Sequence, residues 1–178
     1  WHTKEITVKL YPVCHMTHSF IDCMRALMDE NGFTAKDIAS AECRIESRCY
    51  PIVCTPREVK TRPETDYVMR FDLRYAEDPE VQDLMDRIAC VEDDTKRNPG
   101  YFPGYLTVTL KDGTTLVKDQ RWEMGTEQNP LNIQAVRRKF MDNLSGLYSD
   151  RQIQTLLEQV EQLRMHPNVE GLIAALHR

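Results

Sequence analysis

The chain has 178 residues, 41% of them hydrophobic and 29% charged, so it can bury a domain-sized core and is not disordered throughout. Its net charge of −5, with no long Lys/Arg block, argues against nucleic acid or an anionic membrane as the main partner and leaves room for a local basic pocket. No apolar run approaches the roughly 20 residues that cross a bilayer, and no leader pattern opens the chain, which predicts a soluble, cytoplasmic protein.

Ile6, Val8 and Leu10 alternate with Thr7 and Lys9, the period of a half-buried strand that Pro12 closes, with Lys9 facing away from the apolar side. From Thr17 the period changes. Phe20, Met24, Leu27 and Met28 share one helical stripe, and Asn31-Gly32 supplies the stop. Thr34 leads a short capped turn, followed by a strand through Cys43 and Ile45. Pro51, Pro56 and Pro63 interrupt the next stretch, which reads as a long ordered loop with edge pieces.

Asp78 caps a helix that Pro79 opens, with Val81, Leu84, Met85 and Ile88 on one face. "YLTVTLKDGTTLVKDQRWEM" is a hairpin turning at Asp112-Gly113. Residues 131–144, 149–164 and 168–176 read as three amphipathic helices. The first two carry the stripes Leu131/Val136/Phe140/Leu144 and Ile153/Leu156/Leu157/Val160/Leu163. This order predicts an α+β unit over residues 1–125, with helices on an antiparallel or mixed sheet, and a helical segment over 126–178. The cysteines (Cys14, Cys23, Cys43, Cys49, Cys54 and Cys90) are expected as free thiols, because the apolar content can supply a core without staples. The chain begins at Trp1, which leaves a fragment or a processed chain open.

The chemistry concentrates in "VKLYPVCHMTHSFIDCM", residues 8–24. Cys14, His15, His18 and Cys23 are zinc-ligand types, but no C-x-x-C pair, H-x3-H pair or second cluster accompanies them, so no metal is expected. Cys14 before a helix N-terminus suits an activated thiol, although His15, its neighbour on an extended chain, points the other way. The third reading is an anion pocket. A helix starting at Thr17 offers backbone N–H groups and a positive dipole end, Lys9 adds a fixed cation, and His15 and His18 titrate near neutrality. Such a pocket would hold an acidic substrate and move a proton; the plainer reading is a surface lysine with capping histidines.

Four segments in order, "VKLYPVCHMTHSFIDCM", "PREVKTRPETDYVMRFDL", "FPGYLTVTLKDGTTL" and "NPLNIQAVRRKF" with the helical pair that follows, resemble the C-terminal part of the MmgE/PrpD family. That family includes 2-methylcitrate dehydratases, cis-aconitate decarboxylases and iminodisuccinate epimerases. The resemblance implies a larger all-helical domain, absent here, and a smaller α+β lid, with the active site in the cleft between them. It implies that Lys9 opens the family's K-x-Y/F-P motif at the substrate carboxylates, and that Thr17 and His18 match the T-H that starts the next helix. Cys14 falls where the decarboxylases have a catalytic histidine, which argues against cis-aconitate decarboxylation. "FDLRYA" resembles F-S-L-P-Y-A, which makes Tyr75 the active-site tyrosine. In relatives a helix and a loop separate this motif from the "DPEV" helix, whereas here Asp78-Pro79 follows almost at once. A stretch missing before Arg74 would instead assign Tyr75 to the later helix.

The expected function is therefore that of a lid whose complete enzyme abstracts a proton next to a carboxylate of a small polycarboxylic acid, leading to dehydration, decarboxylation or epimerisation. A 2-methylcitrate dehydratase-like reaction is favoured. Lys9, His18 and Tyr75 are the expected catalytic residues, and Lys9, Cys14, His15 and Thr17 the expected substrate contacts. No metal or organic cofactor is expected, and the partners are the missing helical domain or a second subunit, with a homo-oligomer anticipated. On this reading the isolated chain is inactive. The alternative is a non-catalytic fragment or subunit that docks on a helical partner.

Overall fold

The computed structural model describes residues 6–61 and 78–176. The chain divides into two compact units, Trp1–Pro130 and Leu131–Arg178. No described helix is long and apolar enough to cross a membrane.

The first unit runs α1 (His18–Asn31), β1 (Ile38–Ile45), α2 (Tyr50–Val53), α3 (Arg57–Thr61), α4 (Pro79–Asp86), β2 (Ile88–Glu92), β3 (Gly104–Leu110) and β4 (Thr115–Gln120). Its four strands form a mixed sheet in the order β2-β1-β3-β4, with β1 and β2 parallel and the other pairs antiparallel. The fold is thus α+β, as the element order predicts.

Strand alternation decides which face is covered. Gly104, Leu106 and Val108 of β3 are buried, while Tyr105 and Thr107 between them are not. The register sets Ala41 opposite Val108 and Cys43 opposite Leu106, so one sheet face is continuous. Against it α1 lays Cys23 and Leu27, which join Phe33, Ile38, Ala41, Leu106 and Val108 in one core, with Met24 and Met28 at its edge. Helix α1 packs chiefly on β3 and β4 and ends at Gly32, whose φ is 71°. It sits unusually close to β3: a methyl group on Gly104 would lie 2.8 Å from the backbone carbon of Ser19. The Ser19 hydroxyl donates to the Phe102 carbonyl at 2.6 Å across the same approach.

Several local expectations hold. Thr34 and Asp37 form the capping box of a 3-10 turn before β1, Asp78 accepts from the Glu80 N–H at the start of α4, and the hairpin turns through Asp112-Gly113.

Three expectations are corrected. Residues 6–10 do not form a strand: the Val8 N–H donates to the Gly125 carbonyl, in a loop, at 3.1 Å, and Ile6 and Val8 are exposed. The period-2 pattern is present, but no neighbouring strand supplies a ladder for it. The proline-rich stretch is not all loop, because Pro51 sits in the first turn of α2 and Pro56 immediately precedes α3, positions at which a missing N–H costs nothing. Ile88 does not extend the face of α4 but opens β2, a five-residue strand hidden behind the helical stripe that precedes it.

The second unit comprises α5 (Ile133–Leu144), α6 (Asp150–Glu161) and α7 (Glu170–Leu176). The Asn132 side chain caps α5 by accepting from the Ala135 N–H at 2.8 Å, and Ser149 with Gln152 forms a capping box on α6. Of the predicted stripes, Ile153 and Leu156 are buried, while Val136, Val160 and Leu163 are exposed. Ile133, Leu147, Met165, Val169 and Ile173 add to that exposed apolar surface.

Candidate active site

Helix α1 is entered through a tight 3-10 turn, His15–Thr17. The Thr17 N–H and hydroxyl both donate to the Cys14 carbonyl, at 3.0 and 2.7 Å, and the His18 N–H turns back to the His15 carbonyl. Thr17 therefore folds the turn that presents the histidines, and these two N–H groups are engaged within the chain.

That turn brings the rings of His15 and His18 together, with centroids 4.6 Å apart and planes tilted by 45°. His18 is fully buried, and neither of its ring nitrogens, nor Nε2 of His15, makes a well-formed hydrogen bond, the Val13 carbonyl acting on His18 only as a loose acceptor. Buried polar atoms without good partners are uncommon and costly. His15 is the outer ring of the pair and His18 the inner one.

Burial, and after it the neighbouring His15, holds His18 below the ordinary imidazole range, against opposite effects of the Val13 carbonyl and the Asp22 carboxylate, and the Lys9 charge adds a still smaller push downward. The unfolded chain takes up the proton more readily, so the stability associated with neutral His18 is complete above the free-imidazole value of 6.5 and is lost as pH falls through the depressed folded value. Urea unfolding midpoints of the wild type are expected to drop as pH falls below 6.5, and His18→Gln should remove part of that drop. An unchanged slope in the variant would place the pH dependence elsewhere.

Asp22 lies one helical turn beyond His18 and is 5% exposed. Its Oδ1 accepts from the Tyr11 hydroxyl at 2.5 Å, and its Oδ2 from the Gln120 amide at 2.8 Å and the Met124 N–H at 3.4 Å. The carboxylate thus ties together the segment before α1, the end of β4 and the loop after it. Burial, then the hydrogen bond to Asp22, pushes the Tyr11 hydroxyl up to about 12, so Tyr11 is a fixed donor rather than a base. Its ring meets His18 edge-on at 5.1 Å, and Phe102 stands 6.0 Å from His15.

Lys9 is exposed, on the segment that Gly125 holds. Gly125 has φ 98° and would set a Cβ 2.5 Å from the Val8 carbonyl oxygen, so only glycine lets this loop grip the residue before Lys9. Cys14 is exposed beside the turn. A shallow cleft of about 510 Å3 opens nearby among Thr7, Tyr101, Thr126 and Glu127, but its charged member is a carboxylate, a poor host for an acid. Tyr75 lies outside the described residues. Among the described residues, no three His, Cys, Asp or Glu side chains are grouped so as to hold a metal ion.

Of the residues predicted from sequence, Lys9, Cys14, His15, Thr17 and His18 share one short stretch by construction. The structure adds that the two imidazoles lie against each other with planes tilted by 45°, and that the Lys9 charge has a small effect at His18. Tyr11 and Asp22 were missed. The signal for Asp22 was its spacing of four from His18 on one helix; Tyr11 stands inside the quoted motif.

Fold and site together define an α+β domain with one helix-covered sheet face and a close pair of imidazoles where that helix begins. The model of the MmgE/PrpD C-terminal domain matches residues 11–75 and 67–163, and the chain belongs to that family. The two matched segments overlap over residues 67–75. No curated protein matches the chain. Membership relates the chain to a family of enzymes.

Proposed function

We propose that the chain is the lid part of an enzyme that removes a proton next to a carboxylate of a small polycarboxylic acid, with dehydration of a 2-methylcitrate-like substrate favoured. The observation that carries this reading is the buried His18 behind His15, without a well-formed hydrogen bond of its own and with Lys9 among the charges that act on it. A neutral imidazole of depressed pKa accepts a proton without first losing one, and Lys9 is a cation for a carboxylate. Because His18 is enclosed, His15 is the member that meets substrate, and His18 takes up or returns the proton behind it. Tyr11 and Asp22 hold the pair in place. The rest of the active site, Tyr75 included, belongs to this proposal on the strength of the family resemblance.

The exposed apolar residues of the helical unit favour a companion. Val136, Val160, Leu163 and Ile173 are the kind of surface that a helical domain or a second copy of the chain covers. The test is to assay the purified chain with 2-methylcitrate, cis-aconitate and iminodisuccinate, alone and together with the family's helical domain. Turnover only in the mixture is the expected result. Stable association in analytical ultracentrifugation without turnover of any of the three acids would overturn the catalytic reading in favour of a docking subunit.

A further inference from the structure

Phe102, the ring beside His15, stands on a loop that two buried carboxylates and an arginine hold in place. Asn98-Pro99-Gly100-Tyr101 is a turn closed by the Tyr101 N–H on the Asn98 carbonyl at 3.1 Å, with Gly100 at φ 90°, in the left-handed region that favours glycine. Buried Glu46 accepts from the Asn98 N–H at 2.9 Å, and buried Glu123 from the Phe102 N–H at 3.1 Å. Arg48, paired with Glu46, donates to the Tyr101 carbonyl at 2.6 Å and to the Asn98 carbonyl at 3.3 Å. The Ser19 hydroxyl donates to the Phe102 carbonyl, and Pro103 has no N–H. Every backbone donor and acceptor on the two peptide groups that flank Phe102 is therefore engaged.

We propose that Phe102 is a positioning residue for His15, its fixed ring being the wall that keeps the outer imidazole turned against His18. This rests on the reading that His15 is the member of the pair that meets substrate. The terminal torsion of a histidine is broad, so the turn that carries His15 does not by itself set the plane of the imidazole. Neighbouring rings set it. His18 stands 4.6 Å from His15 and Phe102 stands 6.0 Å from it, with planes tilted by 45° and 44°. The Arg48 guanidinium also lies over the Phe102 ring, 5.5 Å from its centroid, and so restrains the ring as well as the backbone that bears it.

Core filling does not account for this arrangement. Phe102 is half-buried and stands outside the apolar cluster that α1 forms with the sheet. Two buried carboxylates on one loop are costly unless something gains from its rigidity, and the ring beside His15 is what the loop presents. A reacting group displaced by about 1 Å can lose about a hundredfold in rate, so a wall that removes rotational freedom from His15 acts on kcat rather than on substrate affinity.

The test begins with NMR of the full chain labelled at histidine, with His15→Gln and His18→Gln used to identify the two sets of ring signals. The nuclear Overhauser contact between the His15 and His18 rings should be present in the wild type and in Phe102→Tyr, which keeps the wall. It should weaken several-fold in Phe102→Ala, and in part in Phe102→Leu, which keeps apolar bulk without a flat ring. Circular dichroism checks that each variant is folded. In the complete enzyme, formed with the helical domain, Phe102→Ala should lower kcat by about tenfold with KM within about twofold of the wild type, and Phe102→Tyr should restore most of the loss. An undiminished contact between the imidazoles in a folded Phe102→Ala or Phe102→Leu chain overturns the proposal, and so does a loss carried by KM alone. If the wild-type mixture turns over none of the acids, the catalytic reading fails, and the NMR comparison by itself still decides whether Phe102 fixes His15.

Discussion

Replacing Asp22 by alanine is expected to lower the unfolding free energy by about 3 kcal/mol, the scale of breaking a buried, charge-assisted network. Its two oxygens accept from Tyr11, Gln120 and Met124, donors drawn from three separate stretches of chain. Alanine leaves those donors facing a void, and the segment that carries Lys9 and the histidine turn loses its tie to the end of β4. Asp22→Asn should cost less, because an amide can offer its oxygen to Gln120 and Met124 and its NH2 to the Tyr11 oxygen. Phenolate absorbance provides a second readout. Tyr11, held near 12 by burial and by Asp22, should ionise at lower pH in the alanine variant, and only part of the way toward 10, because burial remains the larger cause. A stability loss within about 0.5 kcal/mol, as for an exposed position, would mean that the network does not hold the site together.

Local signals accounted for much of the fold. The Phe20-to-Met28 stripe with its Asn-Gly stop, the Thr34 capping box, Asp78-Pro79 and the Asp112-Gly113 hairpin each need only a few neighbouring residues, and each stands in the structure. What misled was pattern without partner. Ile6, Val8 and Leu10 alternate like a strand, yet strand formation is decided by whether another backbone lies alongside, which a local period does not report. β2 was hidden for the converse reason: its five residues follow a helical stripe without a break, and its pairing with β1 is a long-range fact. The site divides in the same way. Lys9, His15 and His18 were visible as chemistry-bearing types at a turn, whereas the bonds from Gln120 and Met124 to Asp22 span about a hundred residues of sequence and leave no local trace.

Lys9→Met in the complete enzyme is expected to reduce kcat/KM by about a hundredfold, the effect of losing a charge-assisted contact worth a few kcal/mol. Lys9 is exposed and stands on a segment whose backbone is gripped at Val8 by a loop that tolerates only glycine at position 125. A lysine needed only for solubility has no use for that precision, but a cation that must meet a carboxylate does, because a small displacement forfeits much of the contact. Methionine keeps the length and the apolar stem and removes the charge, so stability should change by less than roughly 0.5 kcal/mol while catalysis falls. Lys9→Arg keeps the charge in a broader, planar head and should recover part of the lost activity without restoring it fully. The split between kcat and KM then locates the contact: a loss carried by KM alone means that Lys9 holds ground state and transition state equally, and a loss in kcat means that it favours the charge that develops as the proton leaves. If kcat/KM of Lys9→Met stays within about twofold of the wild type, Lys9 is a solvated side chain, and the carboxylate must be held by another cation of the complete enzyme.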